Sequence, residues 1–148
     1  MKKLKLISIL SLLFVLNVAS MCSDDDDTST QVSNPTEIAS TLADGKWIVT
    51  LYKENDVVQT SNYSGYNFTF GADGALSATN GSTTQSGDWS TYTDSGYTKL
   101  DMMFTALDGP FEEISEDWRV ISRTTTKIEL KHISGGDGST DYLTFEKD

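Results

Sequence analysis

From Trp47 onward the chain alternates apolar and polar residues with a period of two, the pattern of strands that bury one face. Trp47, Val49 and Leu51 alternate with Ile48, Thr50 and Tyr52. Further apolar rows follow: Tyr66, Phe68 and Phe70; Leu76 and Ala78; Gly87, Trp89 and Thr91; Leu100, Met102 and Phe104; Trp118, Val120 and Ser122; Ile128, Leu130 and His132; Leu143 and Phe145. Gly71-Ala72-Asp73-Gly74 and Asn80-Gly81 are turn signals between them. Ahead of the strands, Asn34 can cap a helix with Pro35 at its first position and Glu37 three residues on. That helix runs through Ile38 and Leu42 and is stopped by Gly45.

Eight consecutive strands, each with one apolar face, leave two open edges unless the sheet closes. The predicted fold is therefore all-β: an eight-stranded antiparallel up-and-down barrel with a short N-terminal helix over residues 35–148. A sandwich is the alternative. The long connections 53–65, 105–117 and 134–139 gather at one end as a mouth, while the helix and Trp47 cap a closed floor.

The first 21 residues read as an export signal. Lys2, Lys3 and Lys5 precede an apolar run from Leu6 to Met21, too short for a membrane span of roughly 20 apolar residues. Ala19-Ser20-Met21-Cys22 resembles the lipobox of bacterial lipoproteins, which implies acylation of Cys22 and anchoring to a membrane. Met21 stands where that box carries a small residue. Ordinary cleavage after Ser20, leaving Cys22 a free thiol, is the alternative. Residues 22–34 then form an acidic tether. Its Ser23-Asp24-Asp25-Asp26-Asp27 run resembles the surface-export signal of Bacteroidota lipoproteins, implying a position outside the outer membrane.

Composition narrows the partners. Of 148 residues, 11 are Lys or Arg and 22 are Asp or Glu, for a net charge of −11. Without the signal segment the balance falls to 8 against 22, or −14. Nucleic acid is excluded as a partner, and the domain should stay off an anionic lipid surface. A lone Cys leaves no internal disulfide and no Cys-based metal site, so neither cofactor nor metal is expected.

Gly45-Lys46-Trp47 opening the first strand resembles the G-x-W signature of lipocalins, and Phe68-Thr69-Phe70-Gly71-Ala72-Asp73-Gly74 with Gly87-Asp88-Trp89 resembles the repeat of lipocalin-like domains in Bacteroidota surface lipoproteins. The resemblance implies a calycin-type barrel with Trp47 packed at its floor. Thr140-Asp141-Tyr142 carries lipocalin letters but precedes the last strand, away from that family's place for them.

Catalytic chemistry finds little support. His132 is the only histidine, which fits a rim residue better than a general base. Glu112, Glu113, Glu116 and Asp117 follow Pro110 and Phe111 and suit the start of a short helix. No catalytic residue is assigned. The expected function is a monomeric, non-enzymatic module for a small hydrophobic ligand, bound at the mouth by Leu51, Tyr66, Phe104, Trp118 and His132. The alternative is a glycan- or protein-binding surface module with a packed core, using the outward tyrosines Tyr52, Tyr63, Tyr92 and Tyr97. Replacing Cys22 with Ala is expected to move the full-length protein from the membrane to the soluble fraction. Stable anchoring needs two or more acyl chains at about 0.8 kcal/mol per buried CH₂, and continued membrane fractionation of Cys22→Ala would refute the lipid anchor.

Overall fold

The computed structural model describes residues 33–148; the expected signal segment, Cys22 and the acidic run lie outside the described residues. Helix α1 (Pro35–Leu42) precedes β1 (Trp47–Glu54), β2 (Val57–Val58), a 3-10 turn (Thr60–Tyr63), β3 (Asn67–Phe70), β4 (Ala75–Thr79), β5 (Thr84–Asp94) and β6 (Tyr97–Phe104). Helix α2 (Pro110–Glu113), β7 (Asp117–Arg123), β8 (Lys127–Ile133) and β9 (Thr140–Lys147) complete it. Consecutive strands from β3 to β9 pair antiparallel, and β9 returns to β1 from Lys147↔Trp47 to Tyr142↔Lys53. The result is a closed eight-stranded barrel, with the two-residue β2 folded back on the end of β1. β1 meets β3 at the single pair Trp47↔Phe68.

Helix α1 forms as its sequence dictates. Asn34 Oδ1 accepts the Glu37 amide at 3.0 Å, and Pro35 fills the first turn. Gly45, at φ +97°, then takes a backbone conformation closed to side-chain-bearing residues. The helix seals the floor with Ile38 and Leu42, both fully buried. Ser33 belongs to the folded part too: it is 3% exposed, and its carbonyl accepts from Thr98 Oγ1 at 2.6 Å.

Each of the three tryptophans pins a chain segment to the barrel through its indole N–H. Trp47 donates to the Leu42 carbonyl (2.9 Å), Trp89 to Gly71 (2.9 Å) and Trp118 to Ile114 (3.0 Å). Gly87 serves the second of these positions. A Cβ there would overlap the Met103 carbonyl oxygen, so only glycine lets β5 approach β6 this closely beside Trp89.

Two bulges correct the predicted phasing. In β1 the register slips between Val49 and Leu51, so Thr50 is the extra residue and every later side chain changes face. Leu51, expected inward, pairs with Thr144 on the outer wall, and Tyr52, expected outward, is 1% exposed in the core. In β7 the slip between Val120 and Ser122 turns Arg123 to the floor. There its guanidinium donates to Ser33 Oγ (2.9 Å), Thr41 Oγ1 (3.0 Å) and Glu37 (3.3 Å).

Trp47 and Trp118 are both essentially inaccessible, at 0% and 1% exposure. Truncating either to Ala is expected to cost about 3–5 kcal/mol of stability. Urea unfolding monitored by circular dichroism checks this, and a midpoint equal to wild type for either variant would contradict the packing described.

Candidate functional site

The mouth is closed by the chain's own side chains. The connection between β6 and β7 folds α2 across the opening, and its Phe111 inserts among Tyr63, Tyr66, Phe68 and Phe104 with ring centroids 5.0–6.1 Å apart. Most of these contacts are edge-to-face, the favourable arrangement for aromatic quadrupoles. Tyr63 donates its hydroxyl to the Pro110 carbonyl at 2.6 Å, so the 3-10 turn also holds the lid down. On the far side Ser115 Oγ donates to the Phe111 carbonyl (2.7 Å) and accepts from the Phe104 amide (2.9 Å). Burial pushes the phenols of Tyr52 and Tyr63 well above the ordinary tyrosine range, and the nearby charges of Glu54 and Glu113 add to it.

The five residues expected to line a pocket therefore do not share one: only Trp118 and His132 come together, in a cleft at the rim. Phe104 and Trp118 are buried beneath α2, Tyr66 is half-buried against Phe111, and Leu51 lies on the outer wall. His132 borders a shallow cleft of about 290 Å³ shared with Glu54, Glu113, Glu116 and Asp141, and the largely buried Trp118 reaches its lining. Its ring meets Trp118 edge-on at 5.9 Å. Among outward aromatics, Tyr52 and Tyr63 correct the prediction by being buried, whereas Tyr92, Tyr97 and Tyr142 are exposed.

The cleft is acidic. His132 Nδ1 lies 3.5 Å from Asp117 Oδ1, and Nε2 lies 4.0 Å from Glu116 Oε2. These three residues can offer ligand atoms within 4.8 Å of one another, the spacing of a metal centre. The carboxylates, however, face opposite nitrogens of one imidazole, and the second Asp117 oxygen is held by Lys99 Nζ at 2.8 Å. That geometry sets the imidazole between two carboxylates and does not aim three ligand atoms at one ion. Glu113 sits deeper, with Oε2 buried and without a hydrogen-bond partner; burial, then the charges of Glu54 and Glu112, push its carboxyl up. A hollow of about 610 Å³ runs along α1 at the floor, where Arg123 is already committed to three partners.

Phe111 and Ile114, the residues that close the mouth, escaped the sequence reading because a loop has no periodicity. The one available signal was an aromatic directly after Pro110 in a long connection.

Among solved structures, a DUF4847 family protein from Bacteroides vulgatus ATCC 8482 is similar, with a TM-score of 0.51 and 16% identity over 75% of this chain and 97% of that one. At that identity the likeness concerns the barrel fold alone. No family model matches the chain, and no curated protein matches it. Among the described residues no helix is long and apolar enough to cross a membrane.

Glu113 generates a pH prediction. With its folded-state pKa raised above the ordinary value near 4.5, its contribution to stability is complete below that value and is lost as pH rises through the raised pKa. Glu113→Gln, which cannot ionise, is therefore expected to melt higher than wild type at neutral pH, the advantage vanishing below pH 4.5. Equal melting temperatures at both pH values would refute this.

Proposed function

We propose that the chain is a non-enzymatic binding module, held at the outer-membrane surface by an acylated Cys22, that engages its ligand on the outer wall of the barrel. The observation that supports an exterior site is the lid: Phe111 occupies the axis above Phe68 and Phe104, where an internal guest would sit. A small hydrophobic molecule at Tyr66, Phe104 and Trp118 would have to expel Phe111 and break the Trp118 bond to Ile114. It would lose contacts as large as those it gains. On the wall, Tyr92, Tyr97 and Tyr142 offer amphipathic contact area at low entropic cost, suited to a glycan or protein partner. The acidic surface keeps the anchored domain clear of anionic lipid. On this reading it acts as a monomer without a cofactor.

Native mass spectrometry of the full-length protein tests the proposal. The expected mass is that of the acylated polypeptide alone. A stoichiometric lipophilic molecule that co-purifies and is released on denaturation would place the ligand inside the barrel and overturn the exterior reading.

A further inference from the structure

Strand register assembles a cationic row on the outer wall from residues far apart in sequence. Lys99 of β6 faces Arg119 of β7, Arg119 faces Lys131 of β8, Lys131 faces Tyr142 of β9, and Tyr142 faces Lys53 of β1. On the other flank Lys99 faces Tyr92 of β5. Four of the eight basic side chains among the described residues thus share one row bounded by tyrosines, in a chain whose acids outnumber its bases two to one. Like charges directly opposite on neighbouring strands destabilise a sheet, so three cations in succession are a cost that the fold itself does not require.

The centre of the row is not neutralised. Lys99 is paired with Asp117 at 2.8 Å and Lys53 with Asp56 at 2.7 Å. Among the described residues, neither Arg119 nor Lys131 has a carboxylate within ion-pair distance. The Arg119 guanidinium lies 3.2 Å over the Tyr97 ring and makes no hydrogen bond among the described residues. Hollows of about 180 and 300 Å³ flank this stack, and Tyr97, Arg119 and Lys131 border both. Acids border one side only: the smaller hollow has no carboxylate among the described residues of its lining, whereas Asp94 and the Lys99-paired Asp117 line the larger one, and the adjacent row toward the mouth sets Asp101 opposite Asp117.

We propose that the groove formed by Arg119, Lys131 and Tyr97 binds a carboxylated or sulfated saccharide, an assignment that rests on the exterior-binding reading above. A planar guanidinium and an ammonium side by side match an oxyanion, the fork bidentately and the ammonium as a point charge. The tyrosines at intervals along the row supply flat apolar faces for the C–H surfaces of sugar rings. Neighbouring strands lie about 4.8 Å apart, close to the length of one pyranose unit, so cations on successive strands meet successive acidic sugars of a linear chain.

The test is isothermal titration of the full-length protein with oligogalacturonate, neutral maltohexaose and poly-aspartate. Oligogalacturonate is expected to bind, to weaken with added salt as exposed charges are screened, and to lose about tenfold or more in affinity for each of Arg119→Gln and Lys131→Gln. Tyr97→Ala should weaken binding, and Lys46→Gln, at the floor, should leave it unchanged. Circular dichroism of each variant confirms that the exposed substitutions leave the barrel intact. Three results would overturn the proposal: no oligogalacturonate binding, unchanged affinity in both charge variants, or equal binding of maltohexaose. Binding of poly-aspartate without oligogalacturonate would also overturn it, making the row a dock for an acidic protein segment while sparing the exterior reading. A lipophile in the native mass spectrum separates failure of that reading from failure of this one.

Discussion

A barrel of eight short strands has to fill its own axis, and this one does so with a single connected cluster of aromatic rings. Phe68 stands at its centre, in contact with Tyr63, Phe104, Phe111 and Phe145, and Phe70 carries the cluster on to Trp89. Interiors pack at crystal-like density, so a cluster this continuous leaves its members little freedom to part. Because Phe111 comes from a connection and not from a strand, filling the axis also fixes the lid. The lid in turn orients Trp118 through Ile114 and sets the acidic rim around His132. The closed mouth, the buried tyrosines and the exterior character of the proposed site all follow from that filling.

The period-two pattern and the Asn34 cap were legible in the sequence because they are local: a strand's alternation and a helix's first turn are written in neighbouring residues. The bulges were not. A single extra residue, Thr50, costs the pattern nothing visible, since Leu51 and Tyr52 are both apolar enough to face inward. The same ambiguity hid Arg123, whose turn to the floor joins α1 to β7. Phe111 and Tyr63 lie in a short helix and a 3-10 turn within long connections, where burial is decided by tertiary position alone. The cationic row was least legible, because Lys99, Arg119, Lys131 and Lys53 become neighbours only through register.

The charge distribution has two parts that net charge conceals. At the mouth, Glu113 is held toward its neutral form by burial and by the charges of Glu54 and Glu112. On the wall, Arg119 and Lys131 face one another without a carboxylate partner among the described residues, and Arg119 lies over the Tyr97 ring. A bulk reading of an acidic protein excludes anionic partners. The local field along one row of strands admits them over the range of about one Debye length, roughly 8 Å at physiological salt.

Ser33 enters the barrel at its floor, beside α1 and the turn from β5 to β6, held there by Thr98 and Arg123. A domain tethered through that entry hangs by its base, with the lid pointing away from whatever holds it. The cationic row crosses the tilted strands obliquely, from Lys99 near that floor turn to Lys53 at the mouth end of β1. A linear polymer lying along it would climb the wall of a domain so tethered, from base towards lid, and would not enter it end-on.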